Sequence, residues 1–232
     1  MTIFTIAYNE ELLLQNFIDH YRSRFPGCKI VLYDNYSVDR TREIALQNGC
    51  EVCMYDSGNQ IRDDLYLKVK NNCWKWCVDD WVCVCDVDEI CDIDEYRLMA
   101  DAKRGATIIK FKGWNMVNLS PDPDNINLNL DYGFKAPLYD KCFMFSPKHI
   151  REINYTAGAH TCKPVGKVSY GNSYNCYHLK FIGKNYLINR YKDYMGRLSD
   201  VNKQFGWGVH YSPEVLKQDF EKAQRIELTK LR

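Results

Sequence analysis

Three carboxylates in four residues, Asp86-Val87-Asp88-Glu89, follow directly on the apolar run Trp81-Val82-Cys83-Val84-Cys85. Val, Trp and Cys suit a buried strand, whereas Asp and Glu do not. A sheet interior cannot hold that much uncompensated negative charge. The acids are therefore expected where the strand emerges, with something positive meeting them. Oxygen donors of this kind suit a hard divalent cation such as Mg²⁺ or Mn²⁺, whose shell substrate phosphates commonly complete.

Two more polar pairs stand in the same relation to an apolar run. Tyr8-Asn9 follows Ile3 to Ala7, and Asp34-Asn35 follows Lys29 to Tyr33. Between these runs lie helical stripes. Leu13, Phe17 and Tyr21 recur at helical spacing behind Asn9, read as a cap, and Glu10 and Glu11 suit the positive end of the dipole. Asp39 is expected to cap a second, short helix that Gly49 closes. Glu51 to Tyr55 reads as a third strand, Ile61 to Cys77 as a helix, and Trp81 to Cys85 as a fourth strand. A helix over Asp94 to Lys103 and a strand over Ala106 to Phe111 complete the series. Such alternation predicts right-handed βαβ units and a mostly parallel sheet flanked by helices. Ligands of such sheets bind outside the carboxyl ends of the strands, where all three polar segments fall.

The second half is less regular. Asn118 to Asp131, rich in Asn, Asp and Pro, reads as a long surface loop. Lys141 to Phe145 reads as a strand, and Val165 to Tyr170 and Asn175 to His178 as shorter strands of a mixed or antiparallel extension. Tyr186 to Met195 and Pro213 to Leu228 read as terminal helices. No repeat or low-complexity linker interrupts the chain. One domain is expected over 1–232, with a regular half to about 112 and a less regular half beyond it.

Composition narrows the class. In 232 residues, 46% are apolar and 26% charged, ordinary for a globular protein. A net charge of +1 gives no reason to expect nucleic-acid binding. No apolar stretch is long enough to span a membrane, and the N-terminus shows no signal-peptide pattern. The 11 cysteines sit mostly in apolar runs, and Cys50-x-x-Cys53 has no second pair at zinc spacing. They read as reduced core thiols, which points to the cytosol. Peripheral attachment to a membrane is left open, and so is oligomeric state.

Four segments carry a family resemblance, in family order over about residues 3 to 190. Ile6-Ala7-Tyr8-Asn9-Glu10 resembles an "xKNE" turn. Tyr33-Asp34-Asn35-Tyr36-Ser37-Val38-Asp39-Arg40-Thr41 resembles "YDNxSxDxT". Cys85-Asp86-Val87-Asp88-Glu89 resembles "DxDE". Tyr177-His178 followed by Lys184 resembles a later "HY…K" segment. The chain thus resembles a GT-A-fold, family-2-like glycosyltransferase with a DxD metal motif. The family's acidic "ED" pair is absent, and Gly158-Ala159-His160 stands near its place.

The resemblance implies a fold and a set of roles. The fold is α/β, a GT-A (Rossmann-like) sheet with a smaller mixed extension. The donor would be a nucleotide diphosphate sugar, with UDP as the nucleotide. The acceptor would be a hydroxyl of a glycan, free or carried on lipid or protein. Ala7, Tyr8, Asn9, Asp34 and Arg62 would contact base and ribose, and Lys141 and Lys184 would contact phosphate oxygens. Asp86, Val87 and Asp88 form the diphosphate clamp, with Asp86, Asp88 and His178 as ligands of Mn²⁺ or Mg²⁺. Asp88 is the stronger direct ligand, and Asp86 acts through water or on the ribose. Glu89, Asp92 and Glu95 line the acceptor side or face solvent.

An inverting transferase needs a base near the acceptor hydroxyl, and His160, Asp140 and Asp131 are its candidates. His160 titrates near neutrality in the unperturbed state. Trp114 could lie under a sugar ring. Two other readings keep the fold: a sugar nucleotidyltransferase and a non-catalytic carbohydrate-binding module. The first usually carries a glycine-rich basic loop, where this chain has Ala7-Tyr8-Asn9-Glu10-Glu11. The intact acidic cluster speaks against the second.

Overall fold

A computed structural model describes residues 1–120, 126–208 and 213–231, so residues 121–125 of the expected 118–131 loop lie outside it. Four strands and three helices alternate at the start: β1 (Thr2–Ala7), α1 (Glu11–Arg24), β2 (Lys29–Asp34), α2 (Thr41–Gln47), β3 (Glu51–Met54), α3 (Asp63–Asn72) and β4 (Val82–Val84). β1 pairs in parallel with both β2 and β4, and β2 with β3. This parallel half, ordered β3-β2-β1-β4, is the βαβ array the periodicity predicts.

Next come β5 (Glu89–Cys91), α4 (Glu95–Lys103), β6 (Ile108–Val117), β7 (Tyr132–Lys135), β8 (Lys141–Phe145), β9 (Ile150–Glu152), β10 (Val165–Gly166) and β11 (Tyr170–Phe181). The chain ends in α5 (Lys184–Gly196), α6 (Asp200–Phe205), α7 (Pro213–Arg225) and β12 (Thr229–Lys230). Antiparallel strands extend the sheet past β4 in the order β8-β6-β7-β12. β11 runs parallel to β6 and antiparallel to β5. The extension is therefore mixed, as expected, but its strands differ from the expected ones. β10 is two residues long, and the two expected short strands around 165–178 give way to one long β11. β5 is absent from the sequence reading because it contains Glu89, which opposes strand propensity. Lys141 Nζ meets the Glu89 carboxylate at 2.5 Å and removes the cost.

α1 buries Leu13, Leu14, Phe17, Ile18 and Tyr21 against the sheet, and its last turn carries Arg22 and Arg24 toward the negative end of its dipole. Its start differs from the expected one. Asn9 takes a left-handed φ of 54°, which Asn tolerates better than most residues. Its Oδ1 then accepts from Val38 N at 2.9 Å instead of capping α1. Asp39 serves both helices, accepting from Thr41 N at 2.9 Å and from Glu11 N at 3.1 Å. The helix expected over 61–77 stops at Asn72.

The main core packs α1 on one face of the sheet through Ile3, Phe17, Cys83, Cys85 and Phe111. Phe4, Trp74, Val82 and Phe145 fill the other face. All eleven cysteines are free, and Cys83 and Cys85 face the same side with their sulfurs 3.6 Å apart. A third cluster matters most for function. Leu187 and Tyr191 of α5 pack with Leu216 and Phe220 of α7 on Val117 and Phe181, which end β6 and β11. That packing holds α5 beside the carboxyl ends of the parallel strands. Among the described residues, no helix is long and apolar enough to cross a membrane.

Candidate active site

A cleft of about 230 Å³ opens at those strand ends. Ala7 and Tyr8 from the end of β1, Asn35 after β2 and Tyr55 after β3 line one end. Asp86, Val87, Asp88 and Glu89 form its floor, and His178, Tyr139, Gly158 and His160 line the other end. Arg190, Tyr194 and Arg197 reach across from α5 and its C-terminus. The volume is below the ~300–1,000 Å³ usual for ligand sites, because these long side chains occupy part of the space.

The acids on the floor are individually countered. Asp86 accepts from Lys70 Nζ at 2.8 Å through Oδ1, where the Tyr66 hydroxyl also donates. Its Oδ2 lies 3.4 Å from Lys141 Nζ. Burial and the neighbouring Glu89 charge still push the Asp86 carboxyl well above the usual carboxylate range, against the pull of Lys141. Lys70 is almost wholly enclosed, and burial together with Lys141 lowers its ammonium to about 8. Lys141 is also buried; its carboxylate neighbours Glu89 and Asp86 overcome the burial and raise it. It is thus an internal counter-charge, already committed to two acids.

Asp88 behaves differently. Burial would raise its carboxyl, but His178 and Arg190 hold it well below the usual range and keep it ionised. Its Oδ2 is 3.5 Å from His178 Nε2 and 3.3 Å from Arg190 Nη2. His178 Nδ1 meets Asn115 Oδ1 at 2.8 Å, and an amide oxygen only accepts. Nδ1 is thus engaged with Asn115, and Nε2 is the ring nitrogen that faces Asp88. Tyr139 stacks on the imidazole at 3.9 Å and fixes its plane. An ionised carboxylate beside an oriented imidazole, with room for phosphate oxygens, is a donor set that fits Mn²⁺ or Mg²⁺. Among the described residues, no three His, Cys, Asp or Glu side chains are grouped to hold an ion without such help.

Arg190 holds Glu10 in a fork, with Nη2 to Oε1 at 2.7 Å and Nη1 to Oε2 at 2.9 Å. Burial raises Glu10 to about 7 even so. Arg190 therefore ties β1's exit to the acidic floor from the opposite side of the cleft.

Other expected residues fall in varied places. Tyr8 lines the cleft, donates to Asn59 Oδ1 at 3.0 Å and lies under the Arg197 guanidinium. Asp34 is fully buried; its Oδ2 accepts from Ser37 N at 3.0 Å, and its Oδ1 has no partner among the described residues. Arg62 stands at the rim, paired with Asp64 at 2.6 Å. Asn9 is used up in the turn. Lys184 begins α5 and does not line the cleft. Glu89 is buried at the floor, not on an exposed acceptor face. Trp114 donates to Asn175 Oδ1 at 3.0 Å away from the cleft.

Of the three candidate bases, His160 alone lines the cleft. Asp140 accepts from Gly113 N at 2.8 Å, a structural role, and Asp131 is exposed at the start of β7. His160 does not titrate near neutrality, because burial and the Lys141 charge lower it to about 4.

Lys70, Tyr66, Arg190 and Arg197 escaped the sequence reading. Each sits in an ordinary helical or loop context with no spacing signal. Arg190 and Arg197 are seven residues apart, close to two helical turns, which is the one hint available.

Residues 2–110, just under half the chain, match the family described as Glycosyl transferase family 2. No curated protein matches the chain. Among solved structures, TarS 1–349 from S. aureus with UDP-GlcNAc shares 13% identity at a TM-score of 0.49, covering 97% of this chain and 73% of that one. Another S. aureus TarS structure shares 14% at 0.47, and this chain spans only 44% of its length. Glucosyl-3-phosphoglycerate synthase from Mycobacterium tuberculosis, with Mn²⁺, UDP and phosphoglyceric acid, shares 14% at 0.41 over 68% of this chain and 60% of that one. Likeness at these levels supports no inference about ligands. The family match covers the parallel half of the sheet and agrees there with the first three of the four ordered segments, so residues 2–110 are similar to family-2 glycosyltransferases.

Proposed function

We propose that this chain transfers a sugar from a nucleoside diphosphate sugar, with UDP as the nucleotide, to a hydroxyl of a glycan or other acceptor, with inversion. One observation carries the reading. Asp88 and His178, from opposite halves of the chain, meet at 3.5 Å on the floor of a cleft whose other end is built from the exits of β1, β2 and β3. Asp88 and His178 would hold Mn²⁺ or Mg²⁺, which when bound neutralises a leaving diphosphate. The residues to about 112 would be the donor half, and the rest the acceptor side.

The chain's own groups have separable tasks. Tyr8 would orient the base, and Asp34, enclosed next to the lining residue Asn35 with its Oδ1 unpartnered, would favour a ring N–H there by its charge. Asp86, held by Lys70 and Lys141, would face the ribose directly or through water rather than act as a ligand. Arg190 would turn from Glu10 toward the diphosphate and stabilise its charge as the glycosidic bond breaks. His160, neutral above about pH 4, would accept from the acceptor hydroxyl. The inverting outcome rests on the family resemblance.

The test is thermal unfolding with UDP-sugars, with and without Mn²⁺, followed by an assay for released UDP. A true donor at 100 times its Kd stabilises the fold by about 2.7 kcal/mol, and does so with metal. No stabilisation by any nucleotide sugar in Mn²⁺ overturns the proposal. Pyrophosphate release from a nucleoside triphosphate would replace it with nucleotidyl transfer.

A further inference from the structure

The residue that ends α5 is held in an unusual way. Arg197 is 9% exposed, and its guanidinium lies 3.3 Å above the centre of the Tyr8 ring. Nε donates to Asn59 O at 3.1 Å and Nη1 to Asp193 Oδ2 at 3.0 Å. Nη2 is buried and has no acceptor among the described residues. A buried charged donor left without a partner is costly and calls for an acceptor, which a ligand in the cleft would supply. Stacking on Tyr8 and two fixed hydrogen bonds leave the group little freedom to find an acceptor elsewhere.

The location narrows what that acceptor is. Arg197 lines the cleft at the end built from Tyr8, Asn35 and Gln60, away from Asp88 and His178. Arg190, at the acidic floor, is seven residues earlier, about 10 Å along a helix. One arginine therefore stands at the phosphate end and the other at the base end. The charges of Arg197 and of Asp34, whose Oδ1 alone lacks a partner, both act on the Tyr55 hydroxyl at this end of the cleft. A spare donor at that end of a nucleotide cleft matches a base edge that offers a carbonyl, and the Asp34 carboxylate enclosed next to Asn35 favours a neighbouring ring N–H electrostatically. Uracil has that edge. Cytosine presents an amino group and an unprotonated ring nitrogen instead.

We propose that Arg197 is a specificity-determining residue whose Nη2 donates to a carbonyl of the donor's base, selecting uracil over cytosine. The proposal rests on the nucleotide-sugar reading above and adds the residue that chooses the base.

Calorimetric titration of UDP and CDP in Mn²⁺ tests it, with wild type, Arg197→Lys and Arg197→Met. Wild type should favour UDP. Arg197→Met should lose roughly tenfold to a hundredfold in UDP affinity, the range for a hydrogen bond to a charged group, with CDP nearly unchanged. Arg197→Lys keeps the charge without the fork and should fall between. Equal losses for UDP and CDP, or an unchanged ratio, overturn the proposal and make Arg197 a structural or phosphate contact. A wild type that binds UDP and CDP alike overturns it while the transferase reading stands. A wild type that binds no nucleoside diphosphate overturns both. Should Arg197→Met fail to fold, the same ratio is read from Arg197→Lys.

Discussion

The two halves of the cleft are built on opposite principles. The parallel half, β3-β2-β1-β4 with the turn after β4, brings acids: Glu10, Asp86 and Asp88, with Asp34 enclosed beside the lining. The mixed half and its terminal helices bring cations and imidazoles: Lys141, His160, His178, Arg190 and Arg197. Arg62 at the rim and Lys70 behind the floor are exceptions, cations of the first half. The acids come together because they stand at the exits of adjacent strands. Their partners are scattered because each is delivered by a different element. The site exists only where the halves meet, and its charge balance is a property of that meeting.

Breaking the contact at Asp88 should have the largest effect. Asp88→Asn is expected to lower transfer by at least about a hundredfold, a loss of roughly 3 kcal/mol in transition-state stabilisation. Binding of UDP should also lose its dependence on Mn²⁺, while the far-UV spectrum is unchanged. Full activity of this variant in EDTA would refute the division of labour. Lys141→Met comes next, because it strands Glu89 and Asp86 in a buried site. Urea denaturation should register a loss of about 3–5 kcal/mol, as for breaking a buried ion pair.

Glu10 sharpens the comparison through pH. Its folded value of about 7 lies above the ordinary 4.5, so its contribution to stability is complete below pH 4.5 and is lost as pH rises through 7. Wild type should therefore lose about 3 kcal/mol relative to Glu10→Gln between pH 4.5 and 7. A parallel course of the two unfolding curves would show that Arg190 compensates Glu10 fully. The smallest effect concerns Arg190 itself. Arg190→Gln should weaken UDP by roughly tenfold and leave uridine unaffected, one charged hydrogen bond's worth. An equal loss for uridine would place Arg190 in the scaffold.

Much of the parallel half was legible. Its strands are short, apolar and regularly spaced, and the polar pairs at their exits belong to the same local segments. Asp86, Asp88 and Tyr8 could therefore be placed at the strand exits from neighbours alone, and His178 only through the family resemblance. Local reading failed where a side chain had two uses. Asn9, expected to cap α1, is bound to Val38, and Asp39 caps α1 as well as α2. It failed again for Asp140, Asp131 and Lys184, whose residue types suit the site but whose elements do not bring them there.

The amino-acid sequence by itself determined the alternating elements, the sheet edge at which the cleft opens and the acids that stand there, because hydrophobic period and strand-end polarity are local properties. Tertiary structure alone decided which acid is free and which is neutralised. Asp86 and Asp88 are two residues apart and of one type, yet Lys70 and Lys141 enclose the first while His178 and Arg190 flank the second. Those partners come from four separate elements, and Coulombic interaction in a buried site depends on distance in space, which residue order does not encode.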